Sequence, residues 1–261
     1  MDYMKHIVCF MDILGFKEMI KKSATDYNLR KNIFNMLSDC VSIQNGYMNA
    51  EHKIAQFTED CKKKIFEVSL DIKAQMLVFS DSIILSYYMP SPRSDLFDLN
   101  YILHQIALLN FNLLYSGFFI RGGLTYGDLC HNGNICYGPA LIEAVKLESM
   151  SKYPRIGINT IMFDLESDQS IFYNIKEPML CNFDRIKERF ICYDTENFCY
   201  LDILDPCFSV YELPAIKHIK SIIQNELNKP YDEDVMKKYI WFKEYYNATV
   251  YNTLGYDEKI I

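Results

Sequence analysis

The apolar run HIVCFMDIL (residues 6–14) is short and partly β-branched, which predicts a strand. Gly15 ends it, and Lys17 to Lys22 open a helix that continues, with a break, through LRKNIFNMLSDCVSI. Residues 47–73 are polar and Lys-rich and read equally as a loop or a continued helix. In AQMLVFSDSIILSYYM two apolar runs flank Ser80-Asp81-Ser82, the pattern of a β-hairpin with a carboxylate in its turn. After the two prolines of MPSPRSD, Ser94 or Asp95 caps a long helix, LFDLNYILHQIALLNFNLLYSG, whose apolar positions recur at helical spacing.

FFIRGGLTYGD is the next strand and HNGN a turn. GPALIEAVKLESM follows as a helix with Pro139 at a permitted first position. PRIGINTIMF reads as a strand, and ERFICYDTENFCYLDIL as a hairpin around Asp194–Asn197. Two amphipathic helices close the chain, PAIKHIKSIIQNELN and DVMKKYIWFKEYYNATVYN. Their stripes, Ile216, Ile219 and Ile222 on one and Tyr239, Trp241, Phe242 and Tyr245 on the other, fit packing on the sheet or a contact between copies. The order predicts an α/β (α+β) chain built on a ferredoxin-like or palm-like βαββαβ sheet. The expected division is a catalytic domain over residues 1–210 and a C-terminal helical extension over 211–261.

Composition narrows the functional classes. Half of the 261 residues are hydrophobic, enough for a sizeable core, and the net charge of −7 disfavours a broad basic surface against nucleic acid. A small nucleotide neutralised by its own metal ions remains compatible with that charge. No stretch has the pattern of a signal peptide, and the run IALLNFNLLYSGFFI is too short and too interrupted for a membrane span, so the expectation is a cytoplasmic protein. Nine cysteines without a CxxC pair read as reduced thiols. Cys130, His131 and Cys136 lack a fourth zinc ligand.

The candidate chemistry centres on Asp12, at the end of the first strand, and Asp81, at the hairpin tip. Singly, each is what a helix cap or a turn would use. In a βαββαβ sheet the first strand lies beside the hairpin, so both carboxylates converge at one sheet end. Such a pair suits two Mg²⁺ or Mn²⁺ ions bridging a triphosphate, with the Ile13 carbonyl as a further ligand. Gly15 permits a tight turn, so the amides around Leu14, Gly15 and Phe16 can face phosphates at a helix N-terminus.

The segments FMDILGF, FSDSIIL and IRGGLTYGD…YGPALIEAVKLES, in this order, resemble the catalytic domain of class III nucleotide cyclases, the adenylate and guanylate cyclase family. The resemblance covers roughly residues 6–165 and implies a two-metal cyclisation of a nucleoside triphosphate, in which the 3′-hydroxyl attacks the α-phosphate and expels pyrophosphate. The positions that read the purine in that family fall on Leu77 and Ile135, and its helical Asn and Arg on Ile142 and Lys146. Lys146 keeps a charge without the bidentate fork, and Arg121 is a second candidate cation near the phosphates.

ALIEAVKLESMSKYPRI and KYIWFKEYYN resemble the pyrimidine cyclases of bacterial Pycsar antiphage systems. That implies cyclic CMP or cyclic UMP as product, a downstream effector that senses it, and a homodimer with shared active sites. Phe10, two residues before Asp12 and so on the same strand face, is a candidate for narrowing the base pocket. Two other readings stand beside this one. A palm-type enzyme would release a different product, although a GGDEF hairpin is disfavoured by Phe-Ser-Asp-Ser. A non-catalytic nucleotide sensor is suggested by Ile142 and Lys146.

Overall fold

A computed structural model describes residues 2–44, 74–89, 97–164, 167, 169–171, 180–208, 213–254 and 259–260. The segment 47–73 and the cap at Ser94 or Asp95 lie outside the described residues. The fold is mixed α/β. Strand β1 (Met4–Ile13) leads into helices α1 (Phe16–Ser23) and α2 (Tyr27–Gln44). Strands β2 (Ala74–Phe79) and β3 (Ser82–Tyr88) form the expected hairpin, and α3 (Phe97–Tyr115) follows. Next come β4 (Ile120–Asn132), β5 (Ile135–Tyr137), α4 (Pro139–Met150) and β6 (Ile156–Ile158). Helix α5 (Leu180–Phe190), strands β7 (Ile191–Tyr193) and β8 (Cys199–Leu201), and helices α6 (Asp205–Phe208), α7 (Leu213–Leu227) and α8 (Glu233–Leu254) complete the described chain.

Seven strands run in the order β2-β3-β1-β4-β6-β8-β7, with β5 paired to β4 as the eighth. Strand β1 is antiparallel to both neighbours, β3 and β4, whereas β4 and β6 are parallel. Parallel neighbours need a crossover, and α4 supplies it. This is the βαββαβ order read from the sequence.

The period-two alternation of β1 divides the interior in two. Ile7, Cys9, Met11 and Ile13 join the large core formed with α3, where Ile102, Leu103, Ile106 and Phe111 are fully buried. The buried stripes of α7 (Ile216, Ile219, Ile223) and α8 (Tyr239, Phe242, Tyr245, Tyr246) belong to that same core. Val8 and Phe10 point the other way and pack with Ala140 and Ala144 of α4.

Several predicted boundaries need correction. PRIGINTIMF holds only the three-residue β6, because the Asn159 side chain accepts the Ile161 amide (3.1 Å) and turns Thr160–Phe163 into a 3-10 helix. The residues before ICY are helical rather than hairpin. Ile186 and Phe190 are buried four apart, and Lys187 and Arg189 lie in the last turn, where cations suit the helix dipole. Short β5 and α6 carried no periodic signal of their own.

Candidate functional site

Cross-strand register builds the site. Asp12 stands opposite Ser82 of β3 on one side and Arg121 of β4 on the other. The Ile13 amide donates to the Asp81 carbonyl (3.1 Å), which carries the β1–β3 ladder one residue into the turn and places Asp81 beside the end of β1. Ser80, at the first turn position, has φ +57°, a left-handed conformation that only the tight reversal explains. The Leu14 amide donates to the Phe119 carbonyl (2.8 Å), and Gly15 then reverses the chain at φ +73° to start α1.

Helix α4 covers this end of the sheet at close range. A Cβ on Gly123 would sit 2.1 Å from the Ala144 carbonyl oxygen, so only glycine lets α4 lie there. The buried face of α4 is Ala140, Ala144 and Glu148, at spacing of four. Two alanines allow the approach, and the third position delivers a carboxylate. Glu148 Oε1 touches Arg121 Nη2, and the same Nη2 lies 3.8 Å from Asp12 Oδ2. The sequence reading missed Glu148. Its signal was present: a carboxylate continuing an alanine stripe.

Electrostatics follow from this crowding. Burial, reinforced by the nearby negative charges of Asp81 and Glu148, pushes the Asp12 carboxyl up to about 6, and the Arg121 guanidinium opposes the shift without cancelling it. A hard divalent cation bound there would relieve the repulsion. The donor set fits one: two carboxylates from Asp12 and Asp81, plus the Ile13 carbonyl, are oxygen ligands of the kind that take Mg²⁺ or Mn²⁺. Among the described residues no group of three or more His, Cys, Asp or Glu side chains is placed to hold a metal. Such a site therefore resembles those that complete their shell with water and substrate phosphate.

The other candidates divide clearly. Leu77, Ile84, Phe10 and Gly123 form one row across β2, β3, β1 and β4, next to the Asp12 row on the same face. Leu14 is half-buried, and the Phe16 side chain is part of the large core, which leaves its amide as the group available to a ligand. Lys146 is not brought to Asp12; it is exposed and pairs with Glu143 at 3.5 Å. Ile135 and Ile142 are also on the surface, 62% and 68% exposed, so α4 and β5 present an apolar outer side. A cavity of about 320 Å³ lined by Met4, His6, Gln75, Tyr88, Leu129 and His131 lies elsewhere. His6 is roughly 20 Å from Asp12 along β1. The carboxylate pair itself lies at the end of the central strand β1, with the Asp12 side chain 26% exposed.

No protein-family model matches the chain. No curated protein matches it either. Among solved structures, the chain is similar to the adenylyl cyclase CyaB from P. aeruginosa, at 15% identity and a TM-score of 0.44, over 76% of this chain and 93% of that one. It is also similar to the guanylyl cyclase domain of the RhoGC fusion protein from the aquatic fungus Blastocladiella emersonii. That match has 16% identity and a TM-score of 0.41, over 77% and 94% of the two chains. Among the described residues no helix is long and apolar enough to cross a membrane.

Proposed function

We propose that this chain is a nucleotide cyclase that converts a pyrimidine ribonucleoside triphosphate, UTP or CTP, to its 3′,5′-cyclic monophosphate and pyrophosphate. The observation that carries the reading is the convergence of Asp12 and Asp81 at the end of β1, with Asp12 raised to about 6 by burial and then by the charges of Asp81 and Glu148. The FMDILGF and FSDSIIL segments that supply them are the ones that resemble the cyclase family. Asp12, Asp81 and the Ile13 carbonyl would hold divalent metal, which when bound supplies a more acidic 3′-hydroxyl and charge neutralisation at the phosphates. The amides of Gly15 and Phe16 are the candidate donors for phosphate oxygens at the start of α1, because the Leu14 amide is taken by the Phe119 carbonyl (2.8 Å). Arg121 adds a positive charge beside Asp12.

Support for a pyrimidine is the apolar row Leu77–Ile84–Phe10, which offers no polar group to read a purine edge, while the Phe10 ring narrows the space. Support for a homodimer is the separation of Lys146, Ile135 and Ile142, exposed on the outer side of α4 and β5, from the carboxylates. A second copy that brought that side to the end of β1 would complete the site. The Pycsar resemblance supports a role in antiphage signalling through an effector that senses the cyclic product.

The test is incubation of the purified protein and Mn²⁺ separately with ATP, GTP, CTP and UTP, followed by mass spectrometry. Cyclic CMP or cyclic UMP, lost in Asp12→Asn, is the expected result. A cyclic purine would retain the reaction and overturn the base assignment. Triphosphate binding without any product would favour a sensor, and a linear or dinucleotide product a palm-type enzyme of another kind.

A further inference from the structure

We propose that Glu148 is a positioning residue that holds the Arg121 guanidinium off Asp12, keeping the Asp12–Asp81 carboxylates open to a divalent cation. The proposal rests on the two-carboxylate reading above and adds a residue that neither motif contains. Arg121 faces Asp12 directly across the β1–β4 pair, where opposite charges ordinarily close into a salt bridge. Here the guanidinium makes only a long pair with Asp12 and is drawn toward a second carboxylate. It touches Glu148 and stands 3.8 Å from Asp12.

Glu148 is equipped to compete for it. The residue is 6% exposed, so its carboxylate attracts a neighbouring cation with little screening. Its second oxygen accepts a hydrogen bond from Ser149 Oγ (3.3 Å). The height of α4 over the sheet is set by the Gly123–Ala144 contact, so the carboxylate arrives at a fixed depth. Arg121 is engaged through one edge only. Its Nε is buried without a hydrogen-bond partner, so the fork is not locked into a bidentate pair and has a donor to spare. With the Glu148 charge removed by substitution, the carboxylate left beside Arg121 is Asp12 at 3.8 Å, and a small side-chain movement would close that pair. An internal guanidinium would then stand where a metal must bind.

The experiment is a double-mutant cycle read by Mn²⁺ binding alone, by titration calorimetry without nucleotide. Glu148→Gln is expected to weaken Mn²⁺ binding about tenfold, because Arg121 is released onto Asp12. With Arg121→Met already present, the same Glu148→Gln change is expected to alter affinity less than about twofold. Equal weakening in both backgrounds would overturn the proposal, since Glu148 would then act through its own charge. So would unchanged affinity in the single variant. Arg121→Gln replaces Arg121→Met if the latter does not fold. Failure of the unaltered protein to bind Mn²⁺ would overturn the metal site and this role together. Normal Mn²⁺ binding with a flat cycle would remove only the role of Glu148.

Discussion

Arg121 and Arg155 are separated by one backbone hydrogen bond, from the Gly122 amide to the Arg155 carbonyl (2.9 Å), yet they are used in opposite ways. Arg155 is enclosed. Its side chain is 4% exposed and its Nη1 pairs with Asp194 Oδ2 at 2.7 Å. The rings of Phe198, Tyr200, Trp241 and Tyr153 surround the guanidinium at 4.2 to 5.3 Å. Burial alone would raise Asp194, but the Phe198 amide, the Arg155 guanidinium and the Glu196 amide together hold its carboxyl below the usual range. Trp241 comes from α8, so this ion pair also ties the C-terminal helix to the sheet. Arg121 is 27% exposed and shared unequally between two carboxylates, one of them raised instead of lowered. An ion pair enclosed by aromatic rings serves the fold. An unsatisfied group of like charges keeps free energy available for a ligand.

The comparison can be broken first at its acidic end. Asp12→Asn, and separately Asp81→Asn, should lower turnover in the proposed cyclisation at least about a thousandfold, roughly 4 kcal/mol of transition-state stabilisation. Metal-free thermal stability should hold or rise, because each change removes one of the repelling carboxylates. Near-normal turnover in either variant would remove these aspartates from the site. Arg155→Met attacks the other end. Leaving Asp194 without its partner should cost about 3–5 kcal/mol, seen as a fall in melting temperature of about 10 °C. Arg121→Met should lower it far less. Equal losses would show that both arginines serve only the fold.

The raised Asp12 also makes a signed prediction about pH. The native state holds this proton up to about 6, whereas the unfolded chain releases it near 3.8. Between those values the native state binds more protons, so stability falls as pH rises and the loss is complete above about 6. The effect is about 2–3 kcal/mol, reduced from the full shift because a quarter of the side chain faces water. Denaturant melts in EDTA across that window should show the fall in the unaltered protein and lose it in Asp12→Asn. The smallest change is Gly123→Ala. Overpacking against Ala144 should cost about 1–3 kcal/mol, and lifting α4 should withdraw Glu148 from Arg121. Activity should then fall more than Met150→Ala, exposed on the same helix, makes it fall.

Asp12 and Asp81 were legible because their signal is local: a carboxylate between apolar runs, one at a strand end and one at a hairpin turn. The order of strands followed from the same runs. Glu148 was not read, because a glutamate in a helix looks solvated until the alanines at 140 and 144 are seen to face glycine. The Arg155 cage draws on residues 153, 194, 198, 200 and 241, and no spacing joins these in a linear chain. The end of helix α5 was hidden because Phe190 runs straight into the apolar strand β7 (Ile191–Tyr193), and a short apolar run suits either period.

By itself, then, the sequence determined the βαββαβ order, the two aspartates and the glycine that turns the chain after them, since hydrophobic period and turn chemistry act over a few residues. The tertiary structure decided which arginine is spent on the fold and which is left beside the carboxylates. That outcome depends on how closely α4 approaches β4 and on which rings and charges arrive from distant segments, and burial and Coulomb energy are set by distance in space rather than along the chain.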